Sequence, residues 1–464
     1  MTSSVPAIIV GGGISGLVCA YALGKLGVEA QVLESSQHAG GLIASERRHG
    51  FLLEIGPQSF SGTAALRSLC AELGIADQLV QAPAKAPRYV LIDNALNAVP
   101  LNPAAMLTSS LLSPNTKWRI ARDAFGTSRA PLEDESVAAF VRRKFGEEPL
   151  DRLVAPFVSG IYAGDPERLS LRSAFPQLHE AEKSAGSVIR GMMRAAKSRK
   201  GPREKPTLLS FQDGNQTLVR ALAAKIGSSL RLGAEVVGIC VRREAGAVRF
   251  EVRIRHGGGE EIIIAERLVL ATPADVAGAL LRDVSAAFEP VLAGIEYAPV
   301  AVVSLGYNRK DIEHSLEGFG FLAPRSSGLR VLGSVWNSSL FPERAPAGHV
   351  LLTSFLGGAT NPGVAALSDK DLVDLVHREI APVLHIHGAP TFSHVQIYPR
   401  ALPQYNIGHE ERLTALERLR RELPGLSFVG NYLRGPAIGS CVELGIATAG
   451  ALTEHRSPGY TAHV

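Results

Sequence analysis

The sequence has few cysteines and no long apolar run, and both absences limit where the protein acts. Its four cysteines among 464 residues show no CxxC spacing, which predicts reduced thiols rather than a disulfide framework or a cysteine-built metal centre. No apolar stretch approaches the ~18 residues that span a bilayer. The first apolar strand begins six residues after Met1, which leaves no room for a cleaved leader. We therefore expect a cytoplasmic protein that holds no metal.

The charge balance is also weak for a chain of this length. Lys and Arg number 48 and Asp and Glu number 44, so the formal net charge is only +4. This small excess argues against a nucleic-acid binder, and the sequence contains no nucleic-acid motif. Hydrophobic residues make up 46% of the chain, which excludes a disordered protein and is enough for the cores of two or three domains.

A glycine-rich turn follows the first apolar strand. This strand, Ala7–Val10, runs directly into a Gly-x-Gly-x-x-Gly pattern formed by Gly11, Gly13 and Gly16. The first glycine permits a tight turn, the second lets a pyrophosphate approach the backbone, and the third lets the next helix pack on the sheet. The start of that helix offers free N–H groups and partial positive charge to phosphates. The residues that we expect to bind a dinucleotide here are Gly11, Gly13, Ile14, Ser15 and Gly16.

A second strand and an acidic residue complete this βαβ unit. Ala30–Leu33 ends on Glu34, about 20 residues beyond the glycines, where a carboxylate accepts hydrogen bonds from ribose hydroxyls. No arginine immediately follows Glu34, and its charge would repel a 2′-phosphate, so the unit favours FAD over NADP. Ser35, Gly40 and Gly41 extend the candidate cofactor contacts.

The rest of the fold is expected from separated parts of the chain. Runs such as PVAVVSLGY and HVLLTSFLGG predict an antiparallel sheet, whereas the middle of the chain predicts helices. The fold class is therefore α/β with α+β inserts, built on a Rossmann-like FAD-binding domain. The expected domains are an FAD-binding domain of residues 1–84, 207–290 and 398–464, an antiparallel-sheet substrate-binding domain of residues 85–103 and 291–397, and a helical domain of residues 104–206.

Local patterns predict some elements within these domains. Apolar and alternating runs predict strands at Arg231–Val241, Val248–Arg255 and Ile262–Ala271. Residues 134–146 carry acids at the start, bases near the end and a final glycine, which is the polarity of a helix.

A basic stretch has two interpretations. Residues 190–205 hold seven Lys or Arg and one acid, and they predict either a solvated loop or a contact with an anionic membrane surface. Met106-Leu107, Leu111-Leu112 and Trp118 could insert into such a surface, or they could form an ordinary packed helix face.

Several blocks spread along the chain resemble the oxygen-dependent, FAD-containing protoporphyrinogen oxidases of the flavin monoamine oxidase superfamily. The N-terminal unit, Gly11 to Gly41, matches at the superfamily level, and the other blocks are more specific. These blocks are Glu54-x-Gly56-Pro57-x-Ser59-Phe60, Arg88-Tyr89, residues 156–166 with Leu169-Ser170, Gly318-Phe319-Gly320-x-Leu322-x-Pro324, Ser338–Pro342, Gly430-Asn431-Tyr432 and Gly439-x-Cys441-Val442-Glu443.

The resemblance implies a site for a tetrapyrrole. Arg88 matches an arginine that pairs with a propionate, Leu322 and Phe341 match apolar residues that sandwich the rings, and Ile312 is a neighbour outside any tight motif. Gly160 and Gly164 match glycines that line the cavity. Read without the resemblance, Leu322 and Phe341 are ordinary core residues, and a surface arginine is the alternative for Arg88.

The resemblance also implies further FAD contacts. Tyr398 departs from the family pattern, because a tryptophan often precedes the proline at this position. A helix that starts near Ser440 would lie below the flavin ring. The remaining candidate cofactor residues are Gly56, Pro57, Gln58, Ser59, Val236, Thr272, Tyr398, Gly430, Asn431, Ile438, Gly439, Ser440 and Cys441.

The activity that the resemblance implies is oxidation of protoporphyrinogen IX to protoporphyrin IX. Three two-electron hydride transfers would go to FAD, and O₂ would reoxidise the flavin to H₂O₂, with no side chain assigned as a catalyst. Coproporphyrinogen III is the alternative substrate. An amine oxidase is disfavoured because residues 399–408 lack the cysteine that often holds FAD covalently, and a non-catalytic porphyrin-binding flavoprotein is the remaining alternative. A peripheral membrane surface, a homodimer and hand-over of product to a ferrochelatase are further partners that the sequence leaves open.

Overall fold

The structure, a computed structural model, describes residues 2–100, 105, 108–126, 131, 133–198, 207–244, 247–454 and 460. Met106-Leu107 and residues 199–205 of the basic stretch therefore lie outside the described residues. The strands, in chain order, are β1 (Thr2–Val10), β2 (Ala30–Glu34), β3 (Ser45–Arg48), β4 (Phe51–Glu54), β5 (Phe60–Ser61), β6 (Leu79–Gln81), β7 (Arg88–Ile92), β8 (Ala95–Ala98), β9 (Leu208–Phe211), β10 (Leu230–Leu232), β11 (Glu235–Glu244), β12 (Ala247–His256), β13 (Gly259–Leu270), β14 (Tyr297–Asn308), β15 (Gly320–Leu322), β16 (Val331–Trp336), β17 (His349–Gly357), β18 (Phe392–Pro403) and β19 (Leu426–Phe428).

Helices connect and cover these strands. In chain order they are α1 (Ile14–Lys25), α2 (Ala64–Glu72), α3 (Pro114–Asp123), α4 (Val137–Lys144), α5 (Glu147–Pro149), α6 (Ala155–Tyr162), α7 (Leu171–Ala174), α8 (Pro176–Ala185), α9 (Val188–Ser198), α10 (Gln216–Ile226), α11 (Ala274–Leu280), α12 (Phe288–Ala293), α13 (Asn337–Leu340), α14 (Asp369–Leu384), α15 (His409–Arg421) and α16 (Ile438–Thr453).

The first sheet combines strands from three separated parts of the chain. Its hydrogen-bonded order is β10-β2-β1-β13-β12-β11, and β19 also pairs with β13. β1 is parallel to β2 and β13, while β12 pairs antiparallel with both β11 and β13. Ala7, Ile8, Ile9 and Val10 are all buried, so both faces of β1 are covered, as in parallel sheets with helices on each side. This is the discontinuous Rossmann-like arrangement that the sequence predicts.

One predicted strand of this sheet is in fact two. The sequence pattern favours a continuous strand over Arg231–Val241, but the structure has β10 and β11 with Gly233 between them. Gly233 has a φ of +66°, a left-handed conformation that turns the chain out of a strand and that glycine adopts without steric cost. β10 pairs with β2, whereas β11 pairs with β12.

The second sheet is mostly antiparallel and has the order β18-β14-β17-β16-β15-β7-β8. Its one parallel pairing within the described strands joins β7 to β15. Helix α14 covers one face, where Leu372, Val376 and Ile380 pack with the buried strand residues Leu305 and Leu352. The helix and this sheet together form a second hydrophobic core.

Strand β18 runs through residue 397, at which the sequence analysis places a domain boundary. Pro399 and Pro403 resemble strand breakers in the sequence, but β18 is an edge strand, where a missing N–H donor is tolerated. The pairing with β14 also shifts register between Ala298 and Val300. The division into domains otherwise remains a prediction.

Helices form the part of the chain between β8 and β9. Helix α4 begins after Ser136, whose Oγ accepts a hydrogen bond from the Ala139 N–H at 3.1 Å, and it ends before Gly146, which has a φ of +99°. The helix predicted for residues 134–146 is thus confirmed. No helix among the described residues combines the length and apolar content that crossing a bilayer requires.

A buried cluster of charges ties three of these helices together. The Lys144 ammonium lies 2.5 Å from an Asp123 carboxylate oxygen and 3.2 Å from a Glu182 oxygen, and all three side chains are almost fully buried. Breaking a buried pair leaves an uncompensated charge, so this cluster specifies how α3, α4 and α8 pack.

Leu111, Leu112 and Arg190 do not form part of a membrane-facing surface in this region. Leu111 and Leu112 are 3% and 2% exposed and pack with Val90 in a core, so the alternative of an ordinary packed face is correct for them. Arg190, the first residue of the basic stretch, donates hydrogen bonds to the carbonyl oxygens of Ala124, Gly126 and Ala185. It therefore caps helix ends rather than facing a surface.

Candidate active site

The glycine-rich turn after β1 has the geometry of a phosphate cradle. Gly11 has a φ of +111°, its N–H donates to the Leu33 carbonyl at 2.8 Å, and a Cβ on it would lie 2.8 Å from the Ala271 carbonyl oxygen. A Cβ on Gly16 would overlap the Gly11 carbonyl. In contrast, a Cβ on Gly13 would meet no described atom within 4 Å, although Gly13 is the N-cap of α1. The protein itself thus leaves space in front of the helix start, where a pyrophosphate fits.

The acidic residue of the unit is tied to the same turn. Oε2 of Glu34 accepts a hydrogen bond from the Gly12 N–H at 2.7 Å, and Oε1 accepts one from the Ser36 N–H at 2.9 Å and lies 3.5 Å from the Ser35 hydroxyl. Each carboxylate oxygen can accept more than one hydrogen bond, so Glu34 can still bind a ribose hydroxyl. Gly12 is not among the residues that the sequence singles out, although it lies within the glycine pattern.

Gly40 and Gly41 pack directly on the backbone of Gly12 and Gly13. The Gly40 N–H donates to the Gly12 carbonyl at 2.8 Å, and a Cβ on Gly41 would lie 3.4 Å from the Gly13 Cα. The predicted residues Gly13, Glu34, Gly40 and Gly41 therefore lie together with Gly12 at the end of β1.

The predicted loop Gly56–Ser59 is held by buried polar contacts. The Gln58 amide donates to the carbonyls of Glu54 and Gly56 at 2.9 Å, and the Asn215 amide donates to the Pro57 carbonyl at 2.8 Å. A Cβ on Gly56 would overlap the Leu42 carbonyl. Asn215 precedes α10, so a distant segment of the chain helps to shape this loop.

The C-terminal helix α16 packs against α1 beside the glycine turn. Ile438, Cys441 and Val442 share a buried cluster with Ile14 and other residues of α1. A Cβ on Gly439 would lie 2.9 Å from the Thr63 side chain, and burial raises the pKa of the Cys441 thiol to about 11. The helix begins after Ala437 without a side-chain cap among the described residues, so its first N–H groups, near half-buried Ser440, remain available to a ligand.

Other predicted cofactor positions surround this turn. The Thr272 hydroxyl is buried beside Gly11 and has no hydrogen-bond partner within the described residues, as expected where a bound group completes the site. The Asn431 carbonyl accepts a hydrogen bond from the Tyr405 hydroxyl, and Gly430 packs on the Tyr432 ring. Val236 lies at a register shift at the start of β11, against the first core. The space at Gly13 and the orphaned hydroxyl of Thr272 both fit a dinucleotide.

Leu322 is confined by two glycines. A Cβ on Gly160 of α6 would lie 2.7 Å from a Leu322 methyl carbon, and a Cβ on Gly333 of β16 would lie 3.1 Å from the same atom. The structure thus brings together two predicted substrate residues, Leu322 and Gly160. It also places Gly333 at this contact. The sequence gives no signal for Gly333, because it lies in the alternating pattern of an ordinary strand.

Arg88 lies on the same face of the second sheet as Leu322, and Phe341 packs nearby on Phe319. Arg88 is exposed and pairs with Gly320, two residues before Leu322 in β15, and its guanidinium carbon lies 5.5 Å from the centroid of the Phe319 ring. Phe341 is 2% exposed and packs with Phe319. Phe319 belongs to a block that carries the family resemblance, but the resemblance assigns it no role in the site.

Ile312 lies elsewhere. It is 4% exposed and packs with Phe321 and Ala323 in the core under α14. Successive residues of a strand face opposite sides, so Phe321 and Ala323 point away from Leu322. The structure therefore does not bring Ile312 together with Leu322 and Phe341.

The last two predicted positions lie at the join between the sheets. A Cβ on Gly164 would lie 3.0 Å from the Gln404 amide oxygen, which has no partner in the described parts of the chain. Tyr398 is half-buried opposite Val300, packs against both neighbouring cores, and has its pKa raised by burial. Its ring thus occupies a packed position where the family often has tryptophan.

The fold, the phosphate cradle at the end of β1 and the apolar surface around Leu322 together define a flavin-dependent oxidoreductase. The family model of flavin-containing amine oxidoreductases matches residues 14–453, and the chain belongs to that family. It is an FAD-dependent enzyme.

Individual relatives show which members of this family the chain resembles. The chloroplastic protoporphyrinogen oxidase 1 of Arabidopsis thaliana is 36% identical over 97% of this chain and 88% of its own length. The coproporphyrinogen III oxidase of Bacillus subtilis (strain 168) is 29% identical over 96% of this chain and 97% of its own. A crystal structure from Exiguobacterium sp. 255-15 matches with a TM-score of 0.81 and 24% identity over 98% of this chain and all of that one. Within the family, the chain belongs with the protoporphyrinogen oxidases.

Proposed function

We propose that the protein oxidises protoporphyrinogen IX to protoporphyrin IX, with O₂ as the final electron acceptor and H₂O₂ as its product. The observation that carries the proposal is one sheet face with half-buried Leu322 and exposed Arg88, beside which the buried Phe341 ring packs on Phe319. A porphyrinogen is a large apolar disc with carboxylates at one side, and it needs these two kinds of surface. The name of the Arabidopsis relative supports the same substrate.

The protein's part in the reaction is to hold and orient. FAD, when bound, supplies the two-electron acceptor for each of three oxidations. Gly11, Gly13 and Thr272 would hold its phosphates, and Glu34 its ribose. Arg88 would pair with a propionate, a charge-assisted bond worth about 1.5–3 kcal/mol. Leu322, fixed by Gly160, would press on the macrocycle from one side.

Arg88→Ala tests the substrate assignment. We expect KM for protoporphyrinogen IX to rise at least about tenfold, as loss of one charged hydrogen bond implies, while bound FAD and its spectrum stay unchanged. The exposed Arg330→Ala variant, at the residue before β16, is the control. Unchanged kinetics in Arg88→Ala would remove the propionate contact from the proposal.

Coproporphyrinogen III is the second candidate substrate, because the Bacillus relative bears that name. It carries four propionates instead of two and needs more cations around the cavity. Side-by-side kcat/KM values for the two porphyrinogens decide between them. Anaerobic mixing tests catalysis itself: either substrate must bleach the oxidised flavin spectrum, and binding without bleaching would mean a non-catalytic porphyrin carrier.

Membrane contact is a further part of the proposal. Phe125, just after α3, is 87% exposed, Trp118 is 59% exposed under the Arg122 guanidinium, and Met193 of α9 is 56% exposed beside Arg194. Apolar side chains among cations suit an anionic lipid surface. Salt-sensitive co-sedimentation with anionic but not neutral vesicles supports the contact, and no binding at low salt contradicts it. The cytoplasmic location, the homodimer and hand-over to a ferrochelatase remain predictions.

A further inference from the structure

The chain that leaves the end of β16 joins the apolar substrate face to the cofactor loop. It comprises Trp336, the last residue of β16, helix α13 and residues 341–344, and we call it the bridging segment. Both of its ends make buried polar contacts with the strand and loop formed by residues 51–59. Phe341 lies between those two ends.

The first attachment is an amide pair. The Asn337 side-chain amide donates to the Gln58 oxygen at 2.6 Å, and the two residues are 2% and 7% exposed. Gln58 in turn donates to the carbonyls of Glu54 and Gly56. Asn337 therefore bonds directly to the loop Gly56–Ser59.

The second attachment is a buried ion pair. Arg344 is 1% exposed, and its guanidinium donates to the Ser210 hydroxyl at 2.6 Å and lies 3.4 Å from the Glu54 carboxylate. Glu54 also accepts hydrogen bonds from the Ser45 hydroxyl at 2.6 Å and the Asn215 N–H at 3.0 Å. The Leu52 N–H donates to the Arg344 carbonyl at 3.1 Å, which adds a backbone contact.

The two attachments fix the substrate wall. The Arg344 guanidinium carbon lies 5.4 Å from the centroid of the Phe341 ring, a cation–π contact. Phe341 packs with Phe319, over which the Arg88 guanidinium lies. A shift of Arg344 would thus pass to Phe341 and on to Arg88.

We propose that Arg344 and Glu54 are positioning residues, whose ion pair sets Phe341 and Arg88 at a fixed distance from the cofactor loop Gly56–Ser59. Neither residue needs to touch substrate or FAD. The proposal rests on the proposed function, since it takes Phe341 and Arg88 as substrate contacts. A buried ion pair suits this task, because its charges tolerate few alternative geometries. Small misplacements at a reacting centre can cost orders of magnitude in rate or binding.

The test compares Arg344→Gln and the charge-neutral double variant Glu54→Gln/Arg344→Gln with wild type. We expect KM for protoporphyrinogen IX to rise about tenfold in both, with FAD content unchanged. The double variant should regain the melting temperature that Arg344→Gln loses, because no carboxylate is left unpaired, yet its KM should stay high because the contact with Phe341 is missing. Arg344→Lys keeps the positive charge but lacks the planar guanidinium, so we expect its KM to lie between those of wild type and Arg344→Gln.

Lys144→Gln is the matched control. It removes a cation from another buried carboxylate cluster, which joins α3, α4 and α8. It should lower the melting temperature and leave KM unchanged. If Arg344→Gln does not fold, the double variant and Arg344→Lys decide the question. If the melting temperature, the KM and the environment of Trp336 in the double variant all equal those of wild type, the proposal is overturned, because the pair would then only stabilise the fold.

A measurement without substrate separates this proposal from the proposed function. The chain has two tryptophans, and Trp336, fully buried, is the first residue of the bridging segment. In a Trp118→Phe background, acrylamide should quench Trp336 more strongly in the double variant than in wild type or Lys144→Gln. Unchanged quenching would overturn the positioning role. Increased quenching with unchanged KM would keep it and instead remove Phe341 and Arg88 as substrate contacts.

Discussion

Gly13 differs from the glycines around it in what a side chain there would meet. Gly11 and Gly16 would clash with the protein, whereas Gly13 faces open space as far as the structure describes. Gly13 has a φ of −70°, which alanine adopts readily. The fold therefore does not require glycine at this position, and we propose that the dinucleotide does.

Gly13→Ala tests that requirement. We expect a folded protein whose FAD affinity falls at least about tenfold, because the added methyl occupies the space for the pyrophosphate. Gly24→Ala is the control, since it adds a methyl to α1 where no described atom lies within 4 Å. Fluorescence titration of both apoproteins with FAD measures the difference. Equal affinities would place the pyrophosphate elsewhere.

Gly160 tests the wall of the substrate site in the same way. Gly160→Ala adds a methyl 2.7 Å from the end of the Leu322 side chain, and that flexible end can move. Because alanine also favours the helix, we expect little change in melting temperature but a several-fold rise in KM. Gly363→Ala, with no described atom within 4 Å of the new Cβ, is the control in steady-state assays. A normal KM would show that Leu322 does not contact the substrate.

At the residue scale, positions inside motifs can be located from sequence and isolated ones cannot. Gly160 and Leu322 lie in separate blocks of the resemblance, and they meet in the structure. Ile312 lies outside any block, and strand alternation places it on the opposite face from Leu322. The contacts of Gly333 and Arg344 depend on tertiary packing, for which their local sequence holds no signal.

The packing of α16 on α1 makes a clear element-scale prediction. A Cβ on Gly445 would lie 3.1 Å from the Ser15 carbonyl and from a Val18 methyl, so Gly445→Ala would push the two helices apart. We expect a loss of about 1–3 kcal/mol in the free energy of unfolding and weaker FAD binding.

The same helix supplies the control. A Cβ added at Gly450 would have no described atom within 4 Å, so Gly450→Ala should stabilise α16 by up to about 1 kcal/mol. Urea denaturation and FAD titration of both variants test the contrast. Two variants that unfold alike would contradict close packing of α1 on α16.

At the scale of elements, sequence signals mark helix ends reliably and internal breaks poorly. The acids, bases and glycine around α4 predict its position because helix ends have unpaired backbone groups and a dipole. The break at Gly233 escapes prediction because apolar residues continue on both sides of it. The path of β18 through Pro399 escapes prediction because only the sheet order reveals an edge strand.

The network around Glu54 couples the stability of the whole molecule to pH. Burial raises the pKa of the Glu54 carboxyl from 4.5 to about 7, although Arg344 lies 3.4 Å away. Between those values the folded protein holds a proton on Glu54 that the unfolded chain has lost, so Glu54 and Arg344 form a fully charged pair only above about pH 7, where their variants are compared. The free energy of unfolding therefore falls as pH rises from about 4.5 to about 7, and this contribution is level above that range.

Glu54→Gln removes this dependence. Between pH 5 and pH 8 we expect the variant to lose less stability than wild type, by up to about 3 kcal/mol, in urea denaturation at several pH values. Burial lowers the pKa of His409 to about 4, so stability also falls as pH drops from 6.5 towards 4. That effect is common to both proteins and cancels in the difference. Parallel pH profiles would contradict a raised pKa at Glu54.

At the scale of the whole molecule, the sequence predicts a discontinuous fold but not the contacts that hold its segments together. The N-terminal unit and the resemblance together imply separated segments around one FAD. The contacts that join them, such as Asn215 with Pro57 and Asn337 with Gln58, link residues more than 150 positions apart in the chain. Such pairs have no local pattern, because each partner is an ordinary polar residue until the chain has folded.

The pairing of β1 with β13 also has a consequence for synthesis on the ribosome. Thr2 at the start of β1 lies beside Ile262, and α1 packs on a helix that ends at Thr453. The first strand to emerge therefore pairs early with β2 but waits for more than half of the nascent chain before its second neighbour, β13, exists, and α16 arrives only when the chain is nearly complete. Flavin incorporation must then follow translation, and the exposed apolar β1 is the segment that chaperones would need to shield.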